Sequence, residues 1–180
     1  PVKGDVGLVF VPEAEIFNYM QQGSTDFYAQ SIRGAYQAFF DSNIQVDFVA
    51  VENLAEYKLV YLPYPVMLHE ETASKLREYV EQGGTLISEG MAAYFGEHGH
   101  VGAVQPNYGL DKVFGATQSY VEFIPDISEN ITLTLMNAKI YGRYFRQEYA
   151  LSGGEEAGQF PDGKTAAVAH AFGKGRTLLI

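Results

Sequence analysis

The segment Leu86-Ile-Ser-Glu-Gly90 places a serine at a predicted strand end, where some hydrolases keep a nucleophile. It is close to the G-x-S-x-G elbow, and Asp162 and His170 follow Ser88 in the order Ser, Asp, His. Leu86 replaces the first glycine, and its side chain crowds the turn that must expose the hydroxyl. Three residue types in order arise easily by chance, so a buried strand end is favoured, and a hydrolase that uses Ser88 stays as an alternative.

Carboxylates mark the same predicted sheet edge. Glu13 and Glu15 follow the first predicted strand, and Glu89 follows the fourth. The carboxyl ends of parallel strands meet at one edge, where open α/β sheets build ligand sites, and two carboxylates from different strands can act as acid and base. With Tyr64 and Ser88, these residues form the predicted binding site. The competing interpretation, which an acidic composition favours, is a solvated loop for Glu13 and Glu15 and local hydrogen bonds for Glu89.

Two other motifs are weaker. Glu97-His-Gly-His100 puts two imidazoles on one face of an extended segment, but a zinc site needs further ligands and the chain has no cysteine. We therefore expect a solvated loop there, no metal and no other cofactor. Gly173-Lys-Gly-Arg176 lacks the spacing of a phosphate-binding loop and is predicted to be a hairpin turn.

The elements that must position these residues alternate in the first half, as in a parallel sheet covered on both faces. Residues 1–95 are predicted to form an α/β half, with strands at 6–11, 44–51, 57–62 and 85–88 and helices from the cap residues 24–26 to 40 and at 70–82. Residues 96–180 are predicted to form a loop and a β-rich half, with a glycine-rich loop at 96–109, an amphipathic stretch at 110–114, turns at 161–163 and 173–175, and strands at 118–124, 131–136, 144–151, 164–171 and 176–180. We expect one domain over residues 1–180.

Composition excludes some partners. The 12 basic and 22 acidic side chains give a net charge of -10, which repels phosphate backbones and anionic lipid, so neither nucleic acid nor membrane is an expected partner.

The aromatic content is a separate signal. The 13 Tyr and 12 Phe suit a protein interface, and the absence of Trp counts mildly against sugar binding. The aromatic cluster Tyr141, Tyr144, Phe145 and Tyr149 fits either an interface or a buried core. Because the sequence starts without Met and stops in an apolar run, we expect a piece of a longer protein.

The order strand, helix, strand, strand, helix, Gly-Gly, strand, elbow resembles the class I glutamine amidotransferase-like fold, a flavodoxin-like three-layer α/β arrangement. More specifically, the chain is similar to the β-galactosidase trimerisation domain of family 42 glycoside hydrolases, and the segments that carry this resemblance are Tyr57-Lys-Leu-Val-Tyr-Leu-Pro63, residues 71–80, Gln82-Gly-Gly-Thr-Leu-Ile-Ser88, Gly109-Leu-Asp-Lys-Val-Phe-Gly115 and Ala171-Phe-Gly-Lys-Gly-Arg176. The resemblance implies a domain that follows a catalytic (β/α)8 barrel with paired glutamates and that serves subunit assembly.

The amidotransferase relatives keep a cysteine after the fourth strand and a downstream His-x-Glu pair that activates it. Here Ser88 or Glu89 takes the cysteine position, and His170 is followed by Ala171 and Phe172. Amidotransfer is therefore not expected. The prediction is a noncatalytic assembly domain of a β-galactosidase-like glycoside hydrolase, whose partners are its own barrel and neighbouring subunits of a homo-oligomer such as a trimer. A small-molecule or sugar-binding module at the strand edge is the other alternative.

Overall fold

A computed structural model describes residues 2–126 and 129–180 of the chain. Its helices are α1 Pro12–Gln22, α2 Asp26–Asp41, α3 Glu70–Glu81 and α4 Leu110–Phe114, with a 3-10 helix at Val51–Glu56. The first four strands are β1 Val6–Val9, β2 Val46–Val49, β3 Leu59–Leu62 and β4 Thr85–Ser88. The later strands are β5 Ala116–Ile124, β6 Ile131–Leu135, β7 Ala138–Gly142, β8 Tyr144–Leu151, β9 Glu155–Gln159, β10 Thr165–Phe172 and β11 Gly175–Leu179.

The main sheet has the strand order β2-β1-β3-β4-β11-β10-β9-β6-β7. Its first part is parallel, since β1 pairs with β2 and β3, β3 with β4, and β4 with β11. From β11 onward the pairs are antiparallel, and β5 and β8 form a separate two-stranded sheet. The late strands therefore continue the sheet that the first half begins, and β11 joins the two parts.

Helix α3 shows why these residues form these elements. Its buried side chains, Thr72, Ala73, Leu76, Tyr79 and Val80, recur at helical spacing and face the core. The helix ends at Glu81 with Gln82 as its C-cap, and Gly83 follows with φ of 120°, a conformation that side chains rarely adopt. The main core lies around the parallel strands and includes Leu62, Leu76 and Leu86, each of which is fully buried.

Several predicted elements lie where the sequence placed them. The predicted bounds of β4, α4 and β8 agree with the structure, and α2 extends one residue beyond its predicted end. Strand β1 ends at Val9 instead of Val11, and β2 is limited to Val46–Val49. The predicted mixture of a large, mostly parallel sheet and C-terminal strands is confirmed at this level. No helix of the described residues is long and apolar enough to cross a membrane.

Four elements were not predicted, and the 3-10 helix at Val51–Glu56 is one of them. Helix α1 has Val11 at its N-cap and no capping side chain, so the usual start signal is missing. Strand β9 has the polar, glycine-containing sequence EEAGQ, and it is held by pairing with β10 and β6 instead of by its own propensity. Strand β7 follows β6 through Met136 and Asn137, both at positive φ, where the usual Asn-Gly signal of such a turn is absent.

Candidate functional site

The end of β4 carries the predicted elbow. Ser88 is fully buried, and its hydroxyl donates a hydrogen bond of 2.9 Å to the carbonyl oxygen of Glu89. The other two hydrolase candidates have separate partners, because Asp162 forms an ion pair with Arg146 and Nδ1 of His170 lies 2.9 Å from the carbonyl oxygen of Val113. The contacts of these three described side chains therefore do not assemble a hydrogen-bonded triad, and the Ser88 hydroxyl does not face an open pocket.

Glu89, directly after β4, points to the carboxyl edge of the parallel strands. Its Oε1 accepts a hydrogen bond from the Tyr61 hydroxyl at 2.9 Å, and its Oε2 accepts bonds from the Ser31 hydroxyl at 2.5 Å and the Tyr64 N–H at 3.2 Å. Burial raises the pKa of Glu89, although these three hydrogen bonds lower it in part. Burial, followed by the charge of Glu89, likewise raises the pKa of Tyr61, so this phenol stays protonated and keeps its donor. The edge therefore holds a carboxylate fixed by three elements, β3, β4 and α2.

Glu13 and Glu15 do not join Glu89. They lie in the first turn of α1 instead of a loop. Oε1 of Glu13 accepts a hydrogen bond of 2.7 Å from the Thr72 hydroxyl, which places the carboxylate at the N-terminus of α3, where the helix dipole favours negative charge. No described residue donates a hydrogen bond to the Glu15 side chain. The possible acid and base pair across this edge is therefore not formed, and Glu13 connects α1 with α3.

A cavity of about 320 Å³ opens in front of Glu89, within the size range of small-molecule sites. We call it the Glu89 cavity, and the lining residues that the argument uses are Tyr61, Tyr64, Glu89, Arg143, Phe145 and Gln147. A neighbouring cavity of about 550 Å³ on the α2 side shares Tyr61, Tyr64, Glu89, Arg143 and Phe145 with it. The structure therefore brings two predicted site residues, Tyr64 and Glu89, into one pocket, and leaves Ser88 beneath it.

The other wall of the Glu89 cavity comes from the second half of the chain. Strand β8 and the residues before it supply Arg143, Phe145 and Gln147. The members of the aromatic cluster noted in the sequence have different environments. Phe145 lines the cavity, whereas Tyr149 is buried and its hydroxyl donates a hydrogen bond of 3.1 Å to Gln147 Oε1. Sequence reasoning missed Arg143 and Ser31, because only the tertiary fold brings β8 and α2 to the end of β4.

Backbone strain also concentrates around this edge. Tyr64, Met91 and Tyr144 have φ values of 33°, 61° and 69°, in the left-handed region that non-glycine residues seldom occupy. Tyr64 and Met91 line the Glu89 cavity, and Tyr144 lines its neighbour. Such outliers persist only where the surrounding structure enforces them, and they are often found at binding sites.

The histidine motif shows no such organisation. His98 is exposed, and its Nε2 lies 3.6 Å from a carboxylate oxygen of the adjacent Glu97. Within residues 2–126 and 129–180, no group of three or more His, Asp or Glu side chains is arranged to hold a metal ion.

Comparison with known proteins gives the family. Residues 4–180 match the family profile of the β-galactosidase trimerisation domain. The chain belongs to this family. The trimerisation domain is 28% identical, over 163 residues, to β-galactosidase BgaP of Planococcus sp. (strain L4), and the match covers 85% of this chain and 24% of that protein. It thus spans about a quarter of that curated relative.

Solved structures agree on the fold of this trimerisation domain. The β-galactosidase from Bacillus circulans sp. alkalophilus matches 98% of this chain and 28% of its own chain, with a TM-score of 0.88 at 19% identity. A β-galactosidase structure from Bifidobacterium adolescentis matches 99% of this chain and 91% of its own, with a TM-score of 0.61 at 19% identity. At these identities the likeness shows a shared fold.

The trimerisation domain exposes a row of stacked aromatic rings at one edge of the main sheet. Tyr36 on α2 stacks with Phe48 on β2, with centroids 5.8 Å apart and planes within 10°, and with Phe40 at 6.2 Å. Phe40 is 63% exposed and Phe48 is 60% exposed. We call these three residues the aromatic strip. Because large apolar side chains grouped on a surface often mark an interaction site, the strip is a candidate interface.

Proposed function

We propose that this chain is a noncatalytic assembly domain of a β-galactosidase-like glycoside hydrolase, in which it packs against a catalytic (β/α)8 barrel and against neighbouring subunits of a homo-oligomer. The family membership supports assembly, and the names of the relatives support the kind of parent enzyme. A net charge of -10 supports protein partners over nucleic acid or membrane.

The observation that carries the assembly proposal is the aromatic strip. Its rings are already stacked on each other, so their side chains lose little conformational freedom when a partner covers them. The strip lies across α2 and β2, and β2 is an edge strand of the main sheet whose outer side has no strand neighbour among the described residues. Aromatic residues are enriched in the buried centres of interfaces, where a few of them supply most of the binding free energy.

We also infer the finer fold class, a flavodoxin-like three-layer arrangement of the class I glutamine amidotransferase kind. The parallel order β2-β1-β3-β4, continued by β11, supports it, since the flavodoxin-like order is 2-1-3-4-5. We further propose that residues 1–180 act as one domain, because β4 from residues 1–95 pairs with β11 from residues 96–180. The buried Ser88 supports a noncatalytic role over the hydrolase alternative.

Sedimentation velocity over a range of chain concentrations tests assembly through the strip. We expect the chain to self-associate and the double variant Phe40→Ser, Phe48→Ser to associate at least about tenfold more weakly, since truncating a central interface aromatic commonly costs about 2 kcal/mol. The matched control is Met136→Ser, which removes an exposed apolar side chain from the turn between β6 and β7. A chain that stays monomeric at every concentration, or a control variant that dissociates as readily as the double variant, contradicts the proposal.

A further inference from the structure

We propose that the Glu89 cavity is a binding site for a saccharide unit. This inference concerns a second role beside assembly, and the aromatic strip lies outside the residues that line this cavity. The cavity sits at the carboxyl ends of β3 and β4, the edge at which open α/β sheets hold ligands.

The first argument is the free hydrogen-bonding capacity of Glu89. A carboxylate has about four acceptor positions, and three donors, Tyr61, Ser31 and the Tyr64 N–H, fill three of them. The side chain is partly exposed and lines the cavity, and no described residue donates to the remaining position. A hydroxyl group that donates to this position would complete the set.

The second argument is the presence of donors in the same cavity. Arg143 is exposed at the cavity wall, and its guanidinium has no carboxylate partner in the part of the chain that the structure describes. Burial raises the pKa of Tyr64, so its phenol is a neutral group that can donate, and no described residue hydrogen-bonds its hydroxyl. Gln147, by contrast, is already used, since its oxygen accepts from Met91 and Tyr149 and its nitrogen donates to Gln118.

The third argument is the apolar surface between these groups. The rings of Tyr64 and Phe145 lie within 22° of parallel with centroids 6.0 Å apart, and both line the cavity. Such ring faces pack against the C–H faces of a pyranose. Tyr64 is only 8% exposed and its ring is stacked on Phe145, so the partly exposed ring of Phe145 supplies this apolar surface.

These features together select the ligand class. One carboxylate and one guanidinium line the same cavity, so their opposite charges favour a neutral ligand over a free cation or anion. A sugar ring supplies hydroxyl groups that donate and accept, and an apolar face between them. Enforced left-handed backbone at Tyr64 and Met91 holds the walls in place before a ligand arrives.

The test is a titration of the ¹⁵N-labelled chain with D-galactose, D-mannose and D-glucose, followed by two-dimensional NMR. We expect saturable shifts of the backbone amides of Tyr64, Gly90 and Arg143 for at least one sugar, with a Kd in the roughly millimolar range that a ligand of this size reaches. Arg143→Ala should weaken binding about tenfold, because it removes a charged donor from an exposed position without disturbing the core. Arg33→Ala, an exposed arginine of α2 outside the lining, is the matched control and should bind like the wild type.

Glu89→Gln tests the acceptor, and Glu52→Gln is its control. We expect Glu89→Gln to bind sugar more weakly than Glu52→Gln does, and the NMR spectrum of Glu89→Gln reports whether that variant is folded. No saturable shift with any of the three sugars overturns the proposal. Chemical shift changes that map to residues away from the cavity also overturn it. An Arg143→Ala variant that binds sugar as tightly as Arg33→Ala has the same consequence. A response to guanidinium or methylammonium without a response to sugars would assign the cavity to cations and overturn it as well. Self-association through the aromatic strip is measured separately, so either result leaves the assembly proposal to its own test.

Discussion

The buried hydroxyl of Tyr28 provides a sharp test of how the edge near Glu13 is held. This side chain on α2 is 1% exposed, and its hydroxyl oxygen accepts a hydrogen bond of 2.8 Å from the N–H of Val11, at the start of α1. Val11 is itself fully buried, so no water can reach the N–H if the hydroxyl is removed. Tyr28→Phe keeps the ring and its edge contact with Phe10 and deletes only the acceptor.

The expected cost follows from that geometry. Leaving a buried N–H without a partner costs about 1–3 kcal/mol in the free energy of unfolding. For a chain of this size, about 2 kcal/mol corresponds to a fall in Tm of roughly 4–8 °C. Urea unfolding followed by circular dichroism measures the first quantity, and hydrogen exchange at the Val11 amide reports the local effect.

Tyr19→Phe is the matched control. Tyr19 is 60% exposed on α1 and its hydroxyl has no hydrogen-bond partner among the described residues, so its loss should change the free energy of unfolding by less than about 0.5 kcal/mol. If Tyr28→Phe and Tyr19→Phe unfold at the same urea concentration with equal slopes, the Val11 hydrogen bond does not stabilise this edge and the reasoning is refuted.

Two further expectations concern packing and charge. Gly175→Ala should destabilise the chain by about 1–3 kcal/mol in urea unfolding, because an added Cβ would overlap the backbone oxygens of Val80 and Gly84. Gly34→Ala is the control: its added Cβ meets open space on α2, so it should stabilise the chain by about 0.5–1 kcal/mol. Equal effects of the two alanines would contradict this. Because burial raises the folded-state pKa of Glu89 above its unfolded value, the charged form costs stability above the folded pKa, and this cost disappears as the pH falls towards the unfolded value. The stability of Glu89→Gln relative to the wild type should therefore rise from about pH 4 to about pH 7. A difference that stays constant over this range would show that burial does not raise this pKa.

The sequence predicts those elements whose local signals agree with their tertiary surroundings. Strand β4 is an apolar run after two glycines, and the buried face of α3 recurs at helical spacing as far as Val80. In these two elements the local preference of the residues favours the same structure that packing requires, so the predicted ends differ little from the observed ones. Helix α1 had signals of another kind, Pro12 in its first turn and the acidic pair Glu13 and Glu15, which favour a helix start even with Val11 at the N-cap.

Strand β9 could not be found in this way. Its residues carry almost no strand preference, and β10 and β6 impose its conformation from either side. The same limit applies to the candidate site. The strand-end rule identifies Glu89 and Tyr64. Ser31 reaches the carboxylate through the packing of α2, and Arg143 reaches the cavity through the position of the residues before β8. Partners separated by long stretches of chain leave no pattern in a single sequence.

The position of β11 has a consequence for how the chain reaches its native state on the ribosome. Residues 175–179 form an interior strand, paired with β4 on one side and β10 on the other. Until they leave the exit tunnel, β4 and β10 present open edges that can recruit strands from other molecules. A variant that lacks residues 175–179 would keep both of these edges open in the middle of its main sheet, so we expect it to aggregate.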